Sequence, residues 1–286
     1  MKKLLHLFIL VLFAEGLFAQ DFSFNLVHDG KTRDFIVHSP CATYNCTGQK
    51  LPVVFAFHGL TETNTSMRNY TKFNEVADTA GFILVYPQGI NNSWNDGSTT
   101  STEDDLGFTN AMIDYLLANS NNCPAGFCAQ IDTERIYSCG MSNGGFFSYR
   151  LACQLSNRIA AIASVTGSMD DGSFTSCNPL RPIPVFEIHG TSDPIVGYTG
   201  TAATGASAVA DVLNYWIAVN GCTNTPVTTS LPDVDAGDGS TVEKIHYNNC
   251  TASTEVLHYK ITGGGHTWPS MIMFIPLLLS EIQTEM

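Results

Sequence analysis

Ser142 lies in the run Gly140-Met141-Ser142-Asn143-Gly144-Gly145. A serine hydroxyl is a poor nucleophile near neutral pH. It needs a base within hydrogen-bond reach, and the base needs an orienting carboxylate. The pattern G-x-S-x-G presents such a serine when a strand precedes it and a helix follows. Both are predicted here. Arg135 to Cys139 reads as a short buried strand, and the apolar residues of Phe146 to Leu155 recur at helical spacing. Gly140 and Gly144 allow a turn too tight for a Cβ on either side of the serine. The hydroxyl would stand at the top of a sheet, beside a helix N-terminus that favours developing negative charge. The bland alternative is an ordinary serine in a glycine-rich turn, and the flanking elements weigh against it.

The candidate base is His266, which follows a predicted strand in the flexible run Gly263-Gly264-Gly265-His266-Thr267-Trp268-Pro269. His189 comes too early in the chain, and His246 and His258 fall inside predicted strands. The candidate acid is Asp193, in the turn His189-Gly190-Thr191-Ser192-Asp193-Pro194 after a strand; Asp170 and Asp171 also follow a strand and remain open as alternatives. An ester carbonyl under attack becomes an oxyanion, which calls for two backbone N–H donors. One is that of Asn143, after the serine. The other belongs to Leu60 or its neighbour Thr61, after His58-Gly59. His58 is expected to shape that loop. Trp94 and Trp268 are candidates for a flat aromatic wall against an aryl or sugar group, the plain alternative being that each packs beneath a loop.

These residues need elements to position them. Phe22 to Val27 and Asp34 to His38 flank Asp29-Gly30, a hairpin signal. Leu51 to Phe57 and Phe82 to Tyr86 are continuous apolar runs, as for strands covered on both faces. A helix is expected over 69–80, closed by Gly81, and another from Asp104-Asp105 to about Asn119. Ile159 to Val165 and Ile183 to Ile188 read as strands, Gly205 to Val219 as a helix, 221–240 as a loop, and Thr241 to Tyr247 with Thr254 to Ile261 as a strand pair. This alternation predicts an α/β fold, a mostly parallel sheet with helices on both faces. Ligands then sit beyond the carboxyl ends of the strands, where His58, Ser142, Asp193 and His266 all fall.

The chain has 286 residues and a net charge of −13. So acidic a surface repels phosphates, so nucleic acid and anionic lipid are discounted as partners. Met1-Lys2-Lys3, an apolar core from Leu4 to Phe13 and Gly16 to Ala19 read as a secretory signal peptide over 1–19. Ten apolar residues are too few to span a bilayer, which takes about 20. The nine cysteines contain no CxxC pair and suit no zinc site. In an exported chain they can oxidise. Cys41–Cys46 and Cys123–Cys128 could pin short loops, Cys222–Cys250 could tie a long polar excursion, and Cys153 with Cys177 is a fourth possibility. Cys139 is expected to be a buried free thiol.

His58-Gly59, Asp104-Asp105-Leu106-Gly107-Phe108, Arg135-Ile136-Tyr137 before GMSNGG, HGTSDPIV at 189–196 and GGGHTWP at 263–269 together resemble the esterase/polyhydroxybutyrate depolymerase family. That family includes secreted feruloyl and acetylxylan esterases. The resemblance covers roughly residues 22–270. It implies an α/β-hydrolase fold, a Ser142-Asp193-His266 triad in the chain order of those enzymes, an ester substrate, and neither metal nor organic cofactor. It also supports Cys222–Cys250. Substrates would be hydroxycinnamoyl or acetyl esters of plant polysaccharide, or a hydroxybutyrate polyester. A binding module or an inactive product on the same scaffold is the rival class. The chain departs from the family after Ser270: residues 271–286 run through an apolar stretch broken by Pro276 instead of a polar stretch and closing helix.

Overall fold

The computed structural model describes residues 20–41, 44–98, 100–120, 129–223 and 225–269. The expected signal peptide, the Cys123–Cys128 pair and the apolar tail lie outside these residues. Ten strands form one sheet: β1 (Gln20–His28), β2 (Lys31–Ser39), β3 (Lys50–Phe57), β4 (Ile83–Pro87), β5 (Gln130–Met141), β6 (Ala161–Val165), β7 (Val185–Gly190), β8 (Val227–Ser230), β9 (Thr241–Tyr247) and β10 (Val256–Thr262). Their order is β1-β2-β4-β3-β5-β6-β7-β10-β9-β8. The six from β4 to β10 are mutually parallel, and the two outer strands on each side are antiparallel to their neighbours. The parallel strands therefore present their carboxyl ends along one edge.

Helices cover both faces, as predicted. Alternate β3 residues show why: Val53, Phe55 and Phe57 face a core containing Phe108, Phe147 and Trp216, while Val54 and Ala56 face Met67, Phe73 and Val76. The first core lies under α3 (Asp105–Asn119), α4 (Asn143–Gln154) and α6 (Val209–Val219). The second lies under α1 (Asn64–Thr71) and α2 (Phe73–Ala80).

Several local features differ from or add to the expectations. The helix read over 69–80 is two helices, because Lys72 adopts a left-handed conformation (φ 49°, ψ 29°) between them. The first begins earlier, at a capping box in which the Thr63 hydroxyl accepts from Ser66 N–H and the Ser66 hydroxyl accepts from Thr63 N–H. The loop read over 221–240 contains β8, whose exposed residues carry no alternating pattern. A short helix, α5 (Asp171–Ser176), follows β6. Cys41–Cys46, Cys153–Cys177 and Cys222–Cys250 are disulfides, and Cys139 is a buried free thiol. Burial pushes that thiol up to about 12.

One buried ion pair anchors the loop before α3. Arg33 Nη2 donates to Asp105 Oδ1 at 2.6 Å, with the two side chains 2% and 0% exposed. Asp105 Oδ2 accepts the Asn95 backbone N–H at 2.7 Å, so the acid at the helix start also holds the Trp94–Asp96 segment. Asp105→Ala leaves the Arg33 charge buried without its partner and should cost about 3–5 kcal/mol. Asp114→Ala, at the exposed end of the Arg158 pair, should cost less than about 1 kcal/mol. Urea unfolding midpoints check this; equal losses in the two variants would refute it.

Candidate active site

Ser142 caps α4 directly after β5, with φ 53° and ψ −120°. A non-glycine residue so placed carries about 1–3 kcal/mol of strain, held by its surroundings. The surroundings here are close backbone approaches. A Cβ on Gly140 would lie 2.3 Å from Gly144 C and O, and one on Gly144 would lie 2.2 Å from Phe57 O. The glycines are required for space, not for positive φ, which neither adopts. The same contacts seat the turn against the end of β3. Ser142 N–H donates to Val165 O on β6, completing the anchorage.

Asp193 follows β7 and His266 follows β10. They meet: His266 Nδ1 and Asp193 Oδ2 are 2.8 Å apart. The two motifs are zipped together to achieve this. Ser192 N–H donates to Gly264 O, Thr191 N–H to Ile261 O, and Gly263 N–H to Thr191 Oγ1. A Cβ on Gly190 would lie 2.2 Å from Gly264 O, so glycine is what lets the loops touch. Asp193 Oδ1 accepts the N–H groups of Ile195 and Val196. Burial raises the Asp193 pKa, but the His189 ring 3.5 Å away and hydrogen bonds from His266 and these two amides lower it further, to about 2. Its carboxylate thus stays ionised and accepts the Nδ1 proton of His266, leaving Nε2 as the acceptor. Among the described residues no hydrogen bond joins Ser142 to His266.

Asp170, the alternative acid, instead accepts the Ser173 N–H as the cap of α5. His246 and His258 lie in β9 and β10, as read from the sequence.

The two oxyanion candidates flank the same turn. No hydrogen bond among the described residues takes the backbone N–H of Leu60 or of Asn143. That of Thr61 is taken by Asn92 O at 2.8 Å, so of the two alternatives it is Leu60 whose N–H has no hydrogen-bond acceptor among the described residues. Glu62 Oε2 accepts Gly59 N–H and braces the loop. His58 shapes it from beneath: its ring is buried, Nδ1 donates to Gly59 O, and Nε2 accepts from Gly89 N–H. Burial lowers its pKa to about 4, so it is neutral.

Trp94 does not form a substrate wall. It is 0% exposed, stacks on Phe147, donates through Nε1 to His58 O, and supports the loop from within. Asn143 grips this segment through its side chain, with Oδ1 accepting Trp94 N–H and Nδ2 donating to Trp94 O and Asp96 Oδ2. Trp268 is half-buried, lies 6.1 Å from the Phe73 ring, and its N–H donates to Tyr70 Oη at 3.1 Å. Tyr70 was not singled out from the sequence, and neither was Glu187. The signal for Glu187 was present: a carboxylate inside the apolar run Ile183 to Ile188. The described residues contain no cluster of His, Cys, Asp and Glu able to hold a metal ion, and no helix among them is long and apolar enough to cross a membrane.

No protein-family model matches the chain. It is 25% identical over 240 residues to a bifunctional acetylxylan esterase/xylanase of Neocallimastix patriciarum, covering 83% of this chain and 31% of that protein. It is 28% identical over 240 residues to feruloyl esterase B of Piromyces equi, covering 77% of this chain and 40% of that one. The chain thus spans well under half the length of these two curated relatives. In structure it resembles an acetyl xylan esterase from Aspergillus awamori, with a TM-score of 0.61, 13% identity, and coverage of 92% of this chain and 98% of the other. Sheet order, strand–turn–helix geometry and this likeness agree: the chain has the α/β-hydrolase fold, and its curated relatives are esterases.

Proposed function

We propose that the protein is a serine carboxylesterase acting through an acyl-enzyme, with Ser142 as nucleophile, His266 as base and Asp193 as its orienting acid. The observation that carries this is the 2.8 Å Asp193–His266 hydrogen bond at the sheet edge where the strained Ser142 turn also emerges. His266 Nε2 takes the hydroxyl proton as Oγ attacks the ester carbonyl. The N–H groups of Asn143 and Leu60 receive the oxyanion. His266 then protonates the leaving alcohol, and afterwards activates water to free Ser142. Asp193 holds the ring in the required tautomer throughout.

The names of the relatives support acetyl or feruloyl esters of plant polysaccharide as the substrate class. Half-buried Trp268 beside His266 offers the aromatic surface for such a group. The second reading is a hydroxybutyrate polyester, which the sequence motifs bring with them. Three disulfides among the described residues suit an oxidising, extracytoplasmic location, in keeping with the leader read at 1–19.

Ser142→Ala should abolish turnover of a p-nitrophenyl ester and labelling by a fluorophosphonate probe while the thermal melt stays cooperative. Unchanged turnover would remove Ser142 from the mechanism. Asp193→Asn should lower kcat by about 10³–10⁴-fold through the wrong His266 tautomer. Ferulate release from methyl ferulate, set against clearing of a hydroxybutyrate polymer film, separates the two substrates; clearing of the film with no ferulate release would reverse the preference stated here.

A further inference from the structure

Behind Asp193 lies a second buried histidine that the reaction as written does not use. His189, at the end of β7, is 0% exposed. Its Nε2 lies 2.7 Å from Val196 O and 3.5 Å from Asp193 Oδ2. A carbonyl can only accept, so Nε2 carries a proton. Its Nδ1 lies 2.8 Å from Oε1 of Glu187, itself 1% exposed. Glu187 Oε2 is already an acceptor, taking the Tyr149 hydroxyl proton at 2.7 Å. Asp193 Oδ2 is therefore approached by two imidazoles, His266 at 2.8 Å and His189 at 3.5 Å.

We propose that His189 is a positioning residue for the Asp193–His266 pair: an imidazolium clamped between Glu187, the Val196 carbonyl and Asp193, which fixes the Asp193 carboxylate and tempers the negative charge that His266 meets. The proposal rests on the esterase reading above. Two proton placements satisfy the Glu187–His189 contact. Either the ring is doubly protonated against a carboxylate, or a neutral ring accepts from a carboxylic acid. Burial raises the Glu187 carboxyl pKa and so favours the second, but the Asp193 carboxylate on the ring's other side attracts positive charge and, with the Tyr149 hydroxyl donating to Glu187 Oε2, selects the first.

The other groups around the ring do not disturb this assignment. Tyr198 stands edge-on at 5.9 Å between ring centroids. His258 on β10 donates from Nδ1 to Glu187 O and accepts the Tyr198 hydroxyl at Nε2. Burial lowers the His258 pKa to about 4, so it adds no charge near neutrality. Lys260, opposite His189 in the β7–β10 register, is paired with Glu243. Ser164 on β6 is in register with Glu187 and is uncharged. Burial also opposes charge on His189 itself, but the nearby Asp193 carboxylate and the hydrogen bonds to Glu187 and the Val196 carbonyl overcome it and raise its pKa to about 10.

A cation beside Asp193 disfavours a second proton on His266, so removing it should make His266 easier to protonate. His189→Gln keeps a donor toward Val196 and loses the charge. The acidic limb of its kcat/KM profile for p-nitrophenyl acetate should move to higher pH by about one unit, roughly tenfold in rate on the acid slope. KM should change by less than about twofold, since His189 touches no substrate. In the wild-type protein, nitrogen NMR of labelled histidine should show both His189 ring nitrogens protonated from about pH 5 to about pH 9. A folded His189→Gln variant with an unmoved limb overturns the proposal. So does a wild-type His189 ring bearing one proton at neutral pH, a measurement that decides the matter alone if the variant does not fold. Fluorophosphonate labelling of the wild type is read separately. A protein that does not label defeats the esterase reading, while the NMR result still reports the state of His189.

Discussion

The site depends on one hydrogen bond, from the His266 ring to the Asp193 carboxylate, and on the backbone contacts that make it possible. The two residues are 73 positions apart and follow neighbouring strands, β7 and β10. Neither loop has the rigidity of a helix or strand. Each takes its shape from the other, through Ser192 N–H on Gly264 O and through the side-chain-free approach of Gly190 to Gly264. A misplacement of about 1 Å can cost a site of this kind about a hundredfold in rate. Loops built against each other limit such movement.

The same device recurs at the serine. Gly140, Gly144 and the ends of β3 and β6 hold Ser142 in a conformation that a free chain would leave. Around it, polar groups are committed to backbone: His58 to Gly59 and Gly89, Asn143 to Trp94, Asp105 to Asn95. Each fixes a loop that a parallel sheet would otherwise leave loose at its carboxyl edge. The buried charges Arg33–Asp105 and Glu187–His189–Asp193 are paired, as low-dielectric surroundings require.

Electrostatics divide the histidines into distinct kinds. His58 and His258 are buried with backbone or hydroxyl partners and stay neutral. His189 is buried between carboxylates and is held charged. His266, with its side chain 12% exposed, keeps one nitrogen on Asp193 and the other available. The residue type is the same in all four cases; the partners decide the chemistry.

Much of this was legible in the chain. Apolar runs marked the central strands because parallel strands are buried on both faces, and G-x-S-x-G between a strand and a helix marked the turn. The ends of the predicted strands marked His266 and offered Asp193 beside Asp170 and Asp171, and the family resemblance favoured Asp193 among them. Other features had no local signature. Lys72 breaks a helix whose periodicity runs on, because two short helices dock separately on the sheet. Trp94, in a polar loop, could equally have lined a substrate or packed beneath that loop, and the loop folds inward over β3 and buries it. Nothing local showed that Asn92, some 30 positions away, takes the amide of Thr61 and not that of Leu60. The sequence by itself determined the elements and the residue types at their ends, because burial periodicity and turn chemistry are short-range. Only the tertiary structure decided which amides remain unpaired and which histidine is charged, because those properties depend on groups that meet across the sheet.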